Sequence, residues 1–349
     1  MASSTDDLSR RLTEARDVAD KEVQKALDEA GGLPMYDMLR YFMGYENPLK
    51  TPSPGMHGKR TRSALLLLIA EMFGGSKSAP VLAAGIELFH NFTLIHDDIE
   101  DGDEMRRGQP TVWKEWGINH GINAGDAQTL LVDRCLLRAS GIDSDGHAAA
   151  ELMNETFLGV IEGQYLDFEL TEQTLGDATV TEEAYLEMIR KKTAILIGVA
   201  VAAGGRSAGT DETTTQQLFT YGESLGMAYQ MTDDLVSIWA DEKTTGKAAC
   251  GDIYERKKTF PILYARDNGA EDTLLPLYAE REPLTEGDVA KIVTTLEGVG
   301  AKEATVDCII SHIKKATGVA MSLPINQEDK DLLAALAEKI AASAGIVQI

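Results

Sequence analysis

Apolar residues recur at three- and four-residue spacing along almost the whole chain, and alternating β-branched runs are nearly absent, so the pattern predicts a nearly all-α protein. Helices are expected over about 7–29, 58–73, 79–102, 121–139, 147–170, 181–204 and 212–240, with several more between 257 and 345. The breaks between them are short and rich in Gly, Asp or Ser, as at Gly74-Gly75-Ser76 and Gly204-Gly205. None has the length of a domain linker, which predicts one domain spanning 1–349. The helices at 79–102 and 212–240 are apolar or small on most faces, as buried central helices are. Two segments break the pattern: Tyr45 to Gly58 (YENPLKTPSPGMHG), a surface loop leading into a helix that begins near Lys59, and the polar loop from Asp241 to Arg256.

Composition narrows the function. The 349 residues hold 33 Lys+Arg against 56 Asp+Glu, a net charge of −23, which argues against nucleic acid or an anionic membrane as partner. Cys135, Cys250 and Cys308 stand far apart without CxxC spacing, so neither a disulfide framework nor a thiolate zinc site is expected. The longest apolar stretch, Ala194 to Gly205, is too short for a membrane span, and the N-terminus lacks the apolar core of a signal peptide. A cytoplasmic protein is expected.

Both central helices end in acid. The first ends HDDIED, where Asp97 and Asp101 share a face one turn apart, with Asp98 beside them. Like charges so placed repel, and acids at a helix C-terminus also oppose its dipole, so the arrangement asks for a cation. The second helix carries Asp233 and Asp234, preceded by Gln230. Carboxylates without His or Cys ligands suit a hard cation, and Mg²⁺ in particular is held by one or two carboxylates plus phosphate oxygens. Eleven of the 33 basic residues fall in four short groups, Lys59-Arg60/Arg62, Arg106-Arg107, Arg190-Lys191-Lys192 and Arg256-Lys257-Lys258. Acids and bases in this proximity fit a metal-bridged diphosphate and a second diphosphate bound directly by Lys and Arg.

The order GKRTR, HNFTLIHDDIEDGDEMRRGQPTVW, GQYLDF, KKT, YQMTDDL, GK and KKTFP resembles the trans-isoprenyl diphosphate synthases, or polyprenyl synthetases, over about residues 55–265. The resemblance implies an all-α bundle around a deep central cavity, a homodimer and three Mg²⁺ ions. It also implies a reaction joining an allylic diphosphate head-to-tail to isopentenyl diphosphate with release of pyrophosphate. By the same resemblance Asp97 and Asp101 ligate two metal ions and Asp233 the third, with Asp98 adjacent. Arg106, Lys192, Gln230, Lys247 and Lys257 match contacts to the allylic diphosphate, and Lys59, Arg62, His90 and Arg107 match the isopentenyl diphosphate pocket. Thr193 and Gln164 match positions near the reacting carbons, and Asp167 completes the GQxxD pattern. His96 is left out of the metal site.

Two positions depart from the family pattern. Ser63 stands where a proline often follows the arginine, and Ser237 stands where the second motif commonly has a third aspartate. DDLVSIWAD also approaches the DDxxSxxxE motif of class I terpene cyclases, which ionise the same diphosphates. A cyclase has no second substrate and no need for Lys59, Arg62, His90 and Arg107 together. A regulatory subunit of a heteromeric synthase would tend to lose the first-motif aspartates, which this chain keeps. For product length, Phe92 five residues before Asp97, with small Thr93 at four, resembles the archaeal-type geranylgeranyl diphosphate synthases and implies a C20 product. C15 and C25 or longer products remain the alternatives. On a helical wheel Thr93 and Phe89 lie nearer the Asp97 face than Phe92 does, so this expectation rests on the resemblance.

Overall fold

In the computed structural model, which describes residues 4–45, 58–240, 250–279 and 282–342, the periodicity becomes helix almost throughout. The chain divides into two compact units, residues 1–157 with 199–216 and residues 158–198 with 217–349. Among the described residues no helix is long and apolar enough to cross a membrane.

The first unit is built on α1 (Ser4–Asp28), α2 (Pro34–Met43), α3 (Thr61–Met72), α4 (Ala79–Glu100), α5 (Val112–Trp116), α6 (Ile118–Ser140) and the start of α7 (Ser144–Glu172). As its all-round apolar sequence requires, α4 is the centre, buried without a break from Val81 to Phe89 and packed on α1, α3 and α6. Small residues of α6 allow close contact: at Gly125 an added Cβ would fall 2.2 Å from the His96 ring, and Gln128 of α6 donates to the Leu88 carbonyl at 2.8 Å. Between α4 and α5 lies a hairpin the sequence reading did not anticipate, β1 (Met105–Arg106) paired antiparallel with β2 (Gln109–Pro110).

A buried charge network ties α1, α3 and α4 together. Arg60 is 3% exposed and sits in the left-handed region (φ 46°), one residue ahead of α3. Its guanidinium meets Asp20 at 2.8 Å and Glu87 at 3.2 Å and donates to the Met43 carbonyl at 2.8 Å. Glu87, equally buried, also accepts from Ser63 at 3.0 Å and from Asn91 at 3.1 Å. Ser63, in the place of the usual proline, thus supplies one of the donors that a buried carboxylate requires. Of the basic group opening α3, Arg60 is a structural cation.

The second unit contains the rest of α7, α8 (Glu182–Ile189), a π-helical turn (Arg190–Ala194), the start of α9 (Ile195–Ser207) and most of α10 (Glu212–Trp239). Beyond these come α11 (Gly251–Tyr254), α12 (Phe260–Ala265), α13 (Glu271–Ala279), α14 (Glu286–Gly298), α15 (Ala301–Ser322) and α16 (Gln327–Ala342). Its core is the apolar face of α10, where wholly buried Tyr221 donates to the Leu333 carbonyl of α16 at 2.8 Å.

One expected break is absent. Gly204-Gly205 does not end a helix: α9 runs on to Ser207, and within the first unit a Cβ on Gly204 would fall 2.3 Å from the Leu66 carbonyl oxygen. That glycine is there for close helix packing.

Glu87→Gln removes the buried partner of Arg60 while Asp20 remains, so a loss of stability on the order of 3 kcal/mol is expected in denaturant titration. A loss below 1 kcal/mol would show that the network is not a stabilising tie.

Candidate active site

In the first unit, the end of α4 separates its three aspartates by helical geometry. Asp97 is half-buried and Asp101 exposed on one face, joined by the last helical bond from the Asp101 N–H to the Asp97 carbonyl at 2.8 Å. Asp98 turns inward, fully buried, and takes a short hydrogen bond from Arg106 Nε. Burial pushes its pKa up to about 6, with the Arg106 charge opposing the rise, and among the described residues its Oδ2 accepts no hydrogen bond. Asp98 therefore holds Arg106, which also faces Asp103 at 3.6 Å.

Arg106 is delivered by the hairpin. Arg106 pairs with Gln109, and the residues between them, Arg107 (φ 53°) and Gly108 (φ 78°), are both left-handed, as a two-residue primed turn demands. Tyr41 of α2 holds the far strand, donating to the Pro110 carbonyl at 2.8 Å and accepting from Gln109 at 3.4 Å through its own carbonyl. Arg107 lies 5.7 Å from the Phe42 ring centroid and donates to the Phe42 carbonyl at 3.4 Å and to Asn91 Oδ1 at 3.2 Å. Burial first, then the charge of Arg60, lowers its pKa. Half-buried His90 is drawn well below its ordinary value by burial and by Arg62, Arg107, Arg106 and Arg60, so its ring is neutral in an electropositive corner. Arg62 is half-buried on the first turn of α3, and Lys59 is exposed just before it.

Deeper on α4, Phe92 is buried between Phe89 (centroids 5.6 Å apart) and His96 (5.0 Å). Phe89 stacks on Phe157 at 3.8 Å, and Thr93 returns its hydroxyl to the His90 carbonyl at 2.8 Å. His96 faces α6, near the Ile122 carbonyl at 3.4 Å.

In the second unit a cleft gathers Asp167 of α7, Lys192 and Thr193 of the π-turn, and Gln230, Asp233 and Asp234 of α10. The π-turn sits where backbone meets backbone. A Cβ on Gly163, the glycine of the GQ pair, would lie 2.2 Å from the Lys192 nitrogen, and one on Gly226 of α10 would lie 2.5 Å from the Ala194 Cα. Only glycine permits that approach from both sides, and wide turns of this kind are frequent at functional sites.

Lys192 pairs with Asp167 at 2.5 Å. Thr193 donates to Gln230 Oε1 at 3.1 Å, Gln230 Nε2 donates to Asp234 Oδ1 at 3.2 Å, and Tyr185 donates a short hydrogen bond to Asp234 Oδ2. Burial, with Asp252 and Asp233 adding to it, raises Asp234 to about 7 against the donors Tyr185 and Gln230.

The cleft continues to Asp252, Lys257 and Lys258. Lys257 is exposed and pairs with Glu255 at 2.9 Å and Asp252 at 3.3 Å. Ser237 closes this wall: its hydroxyl accepts from the Asp252 N–H at 3.3 Å, and its carbonyl accepts from the Cys250 N–H at 2.8 Å.

Of the basic groups, only some members reach this cleft. Arg190 pairs with Glu187 and Glu223, Lys191 with Glu162, and Arg256 donates to the carbonyls of Leu277 and Glu282. Gln164 is half-buried on α7 and is not among the lining residues. Lys247 and Asp241 lie outside the described residues. Sequence reasoning missed Asp252 and Tyr185: the first sits in a mixed polar stretch, and Tyr185 reads as one more core aromatic.

The donor set suits a hard divalent cation. Among the described residues no three His, Cys, Asp or Glu side chains group as a closed metal cage. Mg²⁺ needs none when one or two carboxylates are completed by phosphate and water, and Asp97 with Asp101, and Asp233, offer that.

The polyprenyl synthetase family model matches residues 49–296. A geranylgeranyl diphosphate synthase of Mycobacterium tuberculosis is 34% identical over 86% of this chain and 85% of its own. A (2E,6E)-farnesyl diphosphate synthase of Mycobacterium bovis is 34% identical over 67% of this chain and 64% of its own. Among solved structures, a polyprenyl synthase of Caulobacter crescentus complexed with calcium and isoprenyl diphosphate aligns with a TM-score of 0.78 at 25% identity, covering 95% of this chain and 96% of that one.

Because burial raises Asp234 to about 7 from an unfolded value near 3.8, the metal-free folded state favours the protonated carboxyl. Its contribution is present below the unfolded value and is lost as pH rises through about 7. Asp234→Asn is therefore expected to gain on the wild type by a few degrees of melting temperature between pH 5 and pH 8 in chelator. A pH-independent difference would contradict the assignment.

Proposed function

The chain belongs to the polyprenyl synthetase family of trans-prenyltransferases, and from that premise we propose that it joins an allylic diphosphate to isopentenyl diphosphate to make geranylgeranyl diphosphate. The family acts on isoprenoid diphosphates and uses divalent metal ions. In this reading the metal is Mg²⁺, three ions per site, with Asp97 and Asp101 as ligands in the first unit and Asp233 in the second. Once bound, the ions supply charge neutralisation for the leaving pyrophosphate.

The protein's own groups do the rest. Arg106, Lys192, Gln230, Lys247 and Lys257 take the allylic diphosphate, and Asp98 keeps Arg106 aimed. Lys59, Arg62, His90 and Arg107 take isopentenyl diphosphate. The allylic C–O bond breaks, the double bond of isopentenyl diphosphate attacks the resulting carbocation, and the departed pyrophosphate takes the proton. Thr193 and Gln164 lie near the reacting carbons and offer dipoles to the cation.

The observation that carries the two-substrate reading is the corner of Arg62, His90 and Arg107, in which, among the described residues, Arg107 hydrogen-bonds neutral oxygens, of Phe42 and Asn91. Those uncharged acceptors leave its charge available to an anion, which a one-substrate cyclase does not require. Ser237 supports the same reading, since its hydroxyl serves the Asp252 backbone.

The proposed enzyme is one domain over 1–349, cytoplasmic and homodimeric. Ile118, Ile122, Leu130 and Leu137 leave α6 with an exposed apolar side that a second copy would cover.

Dimethylallyl, geranyl and farnesyl diphosphates, each with Mg²⁺ and with or without isopentenyl diphosphate, test the proposal. Linear C20 diphosphate formed only with isopentenyl diphosphate is the expected product. Hydrocarbons or alcohols from one allylic diphosphate alone would make the enzyme a cyclase. Phe92→Ala is expected to shift the product beyond C20, and an unchanged distribution would remove Phe92 as the floor of the chain-length pocket.

A further inference from the structure

We infer that Tyr185 and Asp234 form a positioning pair that fixes which end of the Thr193 hydroxyl dipole faces the cleft. The inference deepens the proposed prenyl transfer and rests on it. Tyr185 is 2% exposed on α8 and has no place among the expected site residues, yet its phenol ends on Asp234, beside the proposed ligand Asp233.

The direction of each hydrogen bond follows from the one before it. Both oxygens of the Asp234 carboxyl are occupied, Oδ2 by the Tyr185 hydroxyl and Oδ1 by the Gln230 NH₂ at 3.2 Å, so Oδ1 is an acceptor whether the group is ionised or keeps its proton on the Tyr185 side. An amide has one donating and one accepting end, so with its donor committed to Asp234, Gln230 turns its carbonyl to Thr193, 3.1 Å from Oγ1. A carbonyl cannot donate, and the Thr193 proton is thereby fixed on Gln230. The lone pairs of Oγ1 are left for the cleft that Thr193 lines.

This orientation matters because a hydroxyl can present either end of its dipole. The oxygen end stabilises a cation, whereas the hydrogen end would oppose it. With Gln230 flipped, its NH₂ would donate to Thr193 and the hydroxyl hydrogen would swing toward the cleft. Tyr185 prevents this by holding the carboxylate in a wall where Asp234 is only 3% exposed and water does not replace a lost donor. Tyr185 touches no substrate and acts through Asp234 and Gln230.

A mutant cycle on the full-length enzyme with Mg²⁺ tests the pair. Tyr185→Phe is expected to lower kcat about tenfold, the loss of one buried hydrogen bond, while KM for isopentenyl diphosphate stays within about twofold. In a Thr193→Val background, which has no hydroxyl to orient, Tyr185→Phe should cost less than about twofold, and in Thr193→Ser the full loss should return. Equal losses in the threonine and valine backgrounds, or an unchanged kcat in Tyr185→Phe alone, would overturn the inference. Asp234→Leu, which removes the acceptor that holds the Gln230 amide, run through the same cycle decides on the same criterion should Tyr185→Phe fail to fold. A wild-type protein that forms no linear diphosphate would remove the prenyl-transfer reading as well, whereas equal losses in an active enzyme remove only the positioning pair.

Discussion

The π-turn of the second unit depends on the absence of two side chains. Gly163 and Gly226 let α7 and α10 close on the backbone of the π-turn to distances that a single methyl would occupy. Lys192 and Thr193 are therefore set by backbone contact, which has no rotamers to explore, and the bulged turn aims both into one cleft. Contacts of this kind transmit displacement because close-packed interiors do not yield gradually. The glycine of the GQ pair is thus a spacing device, and the glutamine beside it does not line that cleft.

Buried charge does the complementary work. Asp98 and Asp234 each sit next to a proposed metal ligand, and each is turned into the protein, where it meets a donor carried by another segment: Arg106 on the hairpin, Tyr185 on α8. A buried carboxylate without donors is costly, so the chain elements that supply them are held to it. Arg60 has the same standing among the cations, with Asp20 and Glu87 as its partners. In adjacent aspartates one carboxylate faces the cleft or solvent and its neighbour faces the core, because successive helix positions lie about 100° apart.

Helical periodicity revealed most of the fold, and the order of charged motifs revealed the chemistry. The hairpin at 105–110 escaped because two-residue strands leave no alternating pattern, although Arg107-Gly108 holds the turn signal. Gly204-Gly205 misled because glycine pairs also serve close packing. Charge alone could not separate Arg60 and Arg256, which hold the fold, from Arg62 and Lys257, since all four occur in basic clusters. Tyr185 was invisible because an aromatic at a core position carries no mark of the polar group its hydroxyl meets.

The hairpin that carries Arg106 and Arg107 has too few ladder bonds to persist alone, and it is fastened to α2, through Tyr41 and the Phe42 carbonyl, and to α4, through Asp98 and Asn91. Fraying of α2 then removes one of the two sides that hold Arg107. By mass action, any anion that engages Arg107 in the closed form must also suppress unwinding of a helix 65 residues upstream. Occupancy of this corner and the local stability of α2 are thermodynamically coupled.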